Sequence, residues 1–316
     1  MSAESPWFRP LGLFLAAAGS ILFSTRSILI KLAYEYHVDP VTFLTLRMVF
    51  SLPFFLAAAF WAQKNRRVAA ADASQAGAPG SAIGVRDVWS IIGLGLLGYY
   101  FASYVDFVAL QYISAALARL ILFLNPTITL IVMALFFSRR IVGREVAAML
   151  ACYAGIALCL LHDVQLSHSA ADTALGSFLS FTSAFCYALY LIFSNKLIAR
   201  IGSMAFTAYA MTVSSVAVIV HFLLTHSLSA LRLPWQVYAY GACMALLCTV
   251  LPVFMVSEAN RRIGPAHVGI LSSTGPVATL VMGMLILNET ISVAQVAGML
   301  LVLIGVWFIS QKPRSA

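Results

Sequence analysis

Apolar stretches of about 20 residues recur ten times along this chain, each bounded by charges or by Pro, Gly and Ser clusters. That is the length a helix needs to cross the hydrocarbon of a bilayer. The stretches run over Leu11–Ala33, Val41–Trp61, Val88–Tyr112, Ala115–Phe137, Val146–Leu161, Ala174–Asn195, Met204–Leu224, Trp235–Val256, Ala266–Leu287 and Ile291–Ile309. Lipid cannot satisfy exposed backbone N–H and C=O groups, and no alternating barrel-strand pattern is present, so helix is the expected form of every span. The expected fold class is an all-α membrane protein with ten transmembrane helices. Trp7, Trp61, Trp89, Trp235 and Trp307 fall at or near span ends, the depth that amphipathic rings favour. Composition agrees: 62 % hydrophobic and 9 % charged residues contrast with roughly 45–50 % and about 25 % in a globular domain. A disordered chain, a nucleic-acid binder and a cytosolic enzyme are poor readings of such a chain.

The net charge of +8 sorts by side. With the N-terminus inside, the inner loops collect Lys64, Arg66, Arg67, Arg86, Arg139, Arg140, Arg144, Lys196, Arg200, Arg261 and Arg262. The outer loops hold Arg232, with Lys31 near a helix end, beside Glu35, Asp39, Asp163, Asp172 and Glu289. This asymmetry places both termini in the cytoplasm and makes the basic excess an orientation signal. A weak collinear repeat appears at a shift of about 150 residues: Ile113-Ser114-Ala115-Ala116 over Ile263-Gly264-Pro265-Ala266, Asn125-Pro126 over Gly275-Pro276, and Ala154-Gly155-Ile156 over Ile304-Gly305-Val306. Five spans per unit is odd, so the second unit is expected upside down. The units are residues 11–161, with an Ala/Gly/Ser-rich flexible inner loop at 63–87, and residues 174–309. Inverted repeats of this kind characterise secondary transporters, which hold substrate near the midplane.

Lys31 after the first span, Pro40 and Arg47 in the second, Leu110-Gln111-Tyr112-Ile113-Ser114-Ala115 entering the fourth, Pro126, Pro276 and Asn288-Glu289 form a recognisable set. Through them the chain resembles the EamA-like family of the drug/metabolite transporter superfamily, over roughly Leu11 to Ile309. The resemblance implies ten helices around a central cavity, alternating access and frequent export of amino acids or related metabolites. In the usual pattern an acid closes both matching spans; here Glu289 keeps it, while the first half has Ser138-Arg139.

Arg26, Arg47, Asp106 and Arg119 lie well inside spans. Each such charge costs about 2.5–3.5 kcal/mol at a helix centre, which makes function the default reading. At about 1.5 Å per residue all four sit roughly 8–12 Å below the outer helix ends, in one layer. Three arginines against one aspartate leave two positive charges over, suited to a substrate carboxylate or other anion. The structural alternatives are that Arg26 and Arg119 snorkel and that Arg47 pairs with Asp106. Aligned positions in the second half are Leu191, Thr212, Val256 and Gly269, so an apolar wall, with Phe254 and Met255, is expected there. Tyr99, Ser103 and Asp106 share one helix face, as do Arg119, Phe123 and Pro126. Tyr99, Ser103 and Phe123 therefore join the candidate substrate-binding set, with packing as their alternative role. Pro126 and Pro276 are candidate hinges. Asp106 is the leading candidate for proton coupling; His221 reads better as a packed histidine and Glu258 as a surface ion pair with Arg261 and Arg262.

Gly93-Leu94-Gly95-Leu96-Leu97-Gly98 matches a dinucleotide fingerprint, but it lies within a span and has no βαβ unit, so close helix contact explains it better. No metal-ligand spacing and no Walker lysine appear, and no cofactor is expected. Cys152, Cys159, Cys186, Cys243 and Cys248 lie inside spans and read as free thiols. The first apolar stretch is read as a retained span, since it continues through Arg26 to Ala33. The leading expectation is a secondary transporter exporting a small amphipathic or anionic metabolite, such as an amino acid, across a bacterial inner membrane, as a monomer or homodimer and with no nucleic-acid partner. An organic-anion uptake permease, an intramembrane enzyme and a channel are the competitors. An enzyme would need a nucleophile motif or paired aspartates, and a channel a symmetric pore.

Overall fold

The computed structural model describes residues 8–75, 84–137, 141–166, 169–272, 274–289 and 291–310. Every regular element among them is helical. Eight helical stretches are long and apolar enough to cross a membrane: Pro10–Tyr34, Pro40–Lys64, Val85–Ala109, Ala115–Phe136, Gly143–Leu161, Ala170–Ile201, Ser203–Thr225 and Trp235–Gly264. Thr274–Leu287 and Val293–Phe308 are shorter apolar helices in the places of the last two expected spans. Together they describe a multi-pass membrane protein. The tails that carry Trp7, Lys312 and Arg314, the Arg139-Arg140 pair and residues 76–83 of the inner loop lie outside the described residues.

The expected linker at 63–87 is narrower than its composition suggests. Helix α2 spans Pro40–Gln75 and α3 starts at Val85. The run from Val68 to Ala73 holds four alanines in six residues, alanine being the best helix former, and no Gly follows α2's start before Gly77. Asp87 supports the start of α3, its carboxylate accepting from the Gly84 N–H at 3.0 Å, and Arg200 at the end of α8 (Ala170–Ile201) pairs with the same carboxylate at 2.8 Å.

Several expected spans are interrupted. Val85–Ala109 contains a π-helical turn at Leu96–Phe101 between α3 (Val85–Gly95) and α4 (Ala102–Ala109). A second π turn at Leu246–Val250 separates α10 (Trp235–Ala245) from α11 (Leu251–Ser272), at positions 150 residues later than Leu96–Tyr100. The fourth span breaks into α5 (Ala115–Leu122) and α6 (Asn125–Phe137), with Pro126 in the first turn of α6, where its missing N–H is harmless. Pro276 likewise sits in the first turn of α12 (Thr274–Leu287). Within α11, Gly264 has φ +78°, a left-handed backbone that glycine alone adopts without penalty.

Close packing depends on small residues. Helix α7 (Gly143–Leu166) meets α13 (Val293–Ser310) along Gly155 and Gly298, where a Cβ on Gly155 would overlap the Gly298 carbonyl oxygen. Moving each position by 150 in opposite directions gives Gly305 and Ala148, which also meet, a Cβ on Gly305 standing 2.5 Å from the Ala148 carbonyl oxygen. Another pair of contacts corresponds through Tyr112-Ile113 and Arg262-Ile263, which are 150 residues apart, while their glycine partners are 164 apart. Gly12 of α1 (Phe8–Tyr34) lies against Arg262 and Ile263, while Gly176 of α8 lies against Tyr112 and Ile113. The fingerprint-like glycines serve packing: Gly95 abuts the Ala210 backbone of α9 (Ser203–Thr225), and Gly98 abuts the Tyr190 ring.

Candidate functional site

The π turn at Leu96–Phe101 precedes the short helix that carries Ser103 and Asp106, both buried. Such a turn adds a residue to the helical ladder and re-aims the side chains beyond it, and is often found at functional sites. Asp106 accepts from Arg26 Nη2 of α1 at 2.5 Å. The carboxylate is 1 % exposed. Arg47 of α2 is not its salt-bridge partner. That guanidinium reaches Ser103 Oγ at 3.5 Å and lies 5.6 Å from the Phe107 ring centre.

Arg119 comes from α5, whose start is held by three acceptors. Ser114 Oγ caps the Leu117 N–H at 3.1 Å, Asp163 accepts from Ser114 N–H and Oγ–H at 2.9 and 3.0 Å, and Glu289 accepts from the Ala115 N–H at 3.2 Å. Carboxylates at a helix N-terminus also complement its dipole. Lys31 Nζ stands 3.9 Å from Glu289. Arg119 itself lies 5.1 Å from the ring centre of Phe23, which Arg26 faces from 5.3 Å. Neither Arg47 nor Arg119 forms an ion pair among the described residues. Nε of all three arginines and Oδ1 of Asp106 are buried without a hydrogen-bond partner.

The structure thus brings Arg26, Arg47, Ser103, Asp106 and Arg119 into one cluster. Tyr99 belongs to a neighbouring group: its hydroxyl accepts from Tyr190 at 3.0 Å, and Tyr187 stacks on Tyr190 with ring centres 5.4 Å apart. Phe123 ends α5, its N–H donating to the Arg119 carbonyl at 3.0 Å, and the aromatic ring beneath Arg119 is Phe23 instead. Met255 packs its Cβ toward Gly19, while Phe254 is exposed. His221 lies edge-on to Tyr100 and Tyr104 and bonds the Tyr100 hydroxyl at 3.1 Å. Glu258 pairs with Arg261 and Arg262. Reading spacing alone missed Phe23, Phe107, Tyr187 and Tyr190. The three-residue step from Tyr187 to Tyr190, one helix face, was the available signal for the last two.

A polar cleft of about 700 Å³ opens at the helix ends, lined by Lys31, Tyr34, Asp39, Gln111 and Glu289 among others. Tyr34 in its wall donates to the Phe107 carbonyl at 2.7 Å, one residue from Asp106. The five cysteines are free, and Cys243 alone among them is exposed. No group of three or more His, Cys, Asp or Glu suited to a metal occurs among the described residues.

The profile of the EamA-like transporter family matches the chain twice, over residues 10–161 and 174–311. An uncharacterized transporter of Bacillus subtilis, YcbK, is 26 % identical over 293 residues, covering 91 % of this chain and 88 % of its own length. A second from the same organism, YyaM, is 26 % identical over 69 % of this chain and 71 % of itself. A solved crystal structure superposes with a TM-score of 0.59 at 17 % identity, covering 94 % of this chain and 96 % of that one, which shows a shared fold. With its apolar helices, and with a family profile spanning nearly its whole length, the chain belongs to the EamA-like transporter family of the drug/metabolite superfamily: it is a membrane transporter, set in a lipid bilayer and acting on a small-molecule substrate.

Proposed function

We propose that the protein is a secondary carrier that exports a small anionic or amphipathic metabolite, an amino acid or a derivative, by alternating access. One observation carries this reading: two buried guanidinium groups, on Arg47 and Arg119, lie beside an ion pair without a carboxylate of their own. A substrate anion supplies what they lack, and guanidinium binds carboxylate in bidentate fashion. Ser103 orients Arg47, and Tyr99 and Phe123 flank the substrate path. Asp106 takes up and releases the coupled proton as the arginines fill and empty.

Two inverted five-helix halves, residues 11–161 and 174–309 with both termini in the cytoplasm of a bacterial inner-membrane protein, give the carrier its two access states. The matched π turns, the paired glycine contacts and the double family match support that arrangement. Pro126 and Pro276, each at a helix break, act as its hinges. The protein works as a monomer or as a homodimer.

Comparing exported metabolites from cells with and without the protein identifies the substrate, and flux into proteoliposomes gives direction and coupling. Arg47→Ala and Arg119→Ala are expected to lower saturable flux at least about tenfold, since a charged hydrogen bond contributes about 1.5–3 kcal/mol. Both variants should reach the membrane at normal abundance. Normal flux in both variants at that abundance would make the cluster structural.

A further inference from the structure

We propose that the substrate is an organic dianion with two carboxylates, one bound by Arg47 and one by Arg119, and that Gly275 sets this selectivity by making room for the tip of Arg119. The inference rests on the carrier reading above and adds the charge of its cargo.

The partners each arginine already has define what it lacks. Arg26 holds the Asp106 carboxylate at 2.5 Å, so that pair is neutral. Arg47 has a serine hydroxyl at 3.5 Å and the Phe107 ring, and Arg119 has the Phe23 ring. A hydroxyl or a ring face stabilises a cation without neutralising it, and an uncompensated buried charge is strongly unfavourable. Two positive charges therefore remain, and a monoanion would leave one of them unmatched. Their placement points the same way. Arg47 lies on the Ser103 and Phe107 side, whereas Arg119 shares the Phe23 ring with Arg26. The two unpaired guanidinium groups thus have different surroundings, and a dicarboxylate can give each a carboxylate of its own. In the same cluster, Asp106 Oδ1 is a buried acceptor with no partner, placed for an ammonium or hydroxyl on the connecting carbons.

Gly275 lies in the first turn of α12, against α1 and α5. A Cβ there would come 2.8 Å from Arg119 Nη2, 2.6 Å from Ser24 Oγ and 3.0 Å from Ser20 Oγ. Both hydroxyls are fixed, Ser24 donating to the Ser20 carbonyl at 2.8 Å and Ser20 to the Ser272 carbonyl at 2.9 Å. They cannot swing aside without losing those bonds, so a methyl group at position 275 must break the Ser24 bond or shift α12, and in either case must displace the guanidinium 2.8 Å away. Gly275 is thus a positioning residue for Arg119.

The test uses the purified full-length protein in nanodiscs at constant ionic strength. The probes are dicarboxylates from malonate to pimelate, L-glutamate, and pentanoate as the monoanion of matching chain length. At least one dicarboxylate dianion should bind at least tenfold more tightly than pentanoate; tighter binding of L-glutamate than of glutarate, despite its lower net charge, places the substrate's donor on Asp106. Arg119→Gln should erase the preference for two carboxylates, bringing the best dianion down to the affinity that the same variant shows for pentanoate. Gly275→Ala, which keeps every charge, should shrink the preference by about threefold to tenfold. If Arg119→Gln does not fold, Arg47→Gln and Gly275→Ala carry the same comparison. Equal binding of pentanoate and the best dianion, no binding by any dianion, or an unchanged preference in the variants would overturn the proposal. An exported monoanion whose flux still depends on Arg47 and Arg119 would overturn the dianion inference and leave the carrier reading standing.

Discussion

Neutralising one member of the Arg26–Asp106 pair is expected to destabilise the folded protein by about 3–5 kcal/mol, and neutralising both to restore most of that loss. The asymmetry follows from burial. Asp106 is 1 % exposed and its partner's side chain 11 %, so removing either charge strands the other in a region of low dielectric. With Asp106→Asn the effect is compounded, because that carboxylate also attracts Arg119 and Arg47. Arg26→Gln with Asp106→Asn together leaves two amide side chains able to bond each other, at a smaller residual loss. The measurement is the melting temperature of the three variants in one detergent, beside their abundance in the membrane. A double variant as unstable as the sum of the singles would show that the two residues are not coupled. Flux through the double variant adds a functional reading: if Arg47 and Arg119 carry the substrate, its binding survives while proton coupling through Asp106 is lost.

The membrane class was legible because long apolar stretches and a scarcity of charged residues are properties of the chain itself. The meeting of Arg26, Arg47, Asp106 and Arg119 in one cluster was legible for a related reason: helices convert residue counts into distance along their axes, so charges at like distances from span ends can meet. Partner choice was not. Whether Asp106 meets Arg26 or Arg47 depends on rotation of α4 about its axis, and the π turn at Leu96–Phe101 resets that rotation. Nothing in the string Leu-Leu-Gly-Tyr-Tyr-Phe announces such a turn. The extent of α2 was missed for the opposite reason. Charges after Gln63 mark the end of a span, yet an alanine-rich helix continues past a membrane boundary as readily as within one. Gly275 was visible only as the partner of Asn125 in the repeat, while its contact with Arg119 joins residues far apart in the chain.

Gly155→Ala is expected to lower stability by about 2–3 kcal/mol, the upper part of the range for overpacking a close contact, whereas Gly93→Ala should stabilise slightly. Both glycines lie in apolar helices, and alanine is the better helix former by roughly 0.5–1 kcal/mol. Their surroundings differ. A Cβ at Gly93 meets nothing within 4 Å, while at Gly155 it would overlap the Gly298 carbonyl oxygen and stand 2.9 Å from Val302. The obstacle is backbone rather than a flexible side chain, so relief requires α7 and α13 to separate, with the loss of close packing that holds helices together where lipid supplies no hydrophobic drive. The reciprocal contact, a Cβ on Gly298 against the Gly155 carbonyl oxygen, makes Gly298→Ala equally harmful. Because one separation of the helices relieves both clashes, the double variant should be much less unstable than the sum. The displacement also reaches the site: α7 carries Asp163, whose carboxylate holds Ser114 at the start of the helix that presents Arg119. Flux per folded molecule should therefore fall in Gly155→Ala and remain normal in Gly93→Ala. Additive melting shifts, or a Gly155→Ala variant as stable as Gly93→Ala, would mean that the α7–α13 seam is not close-packed.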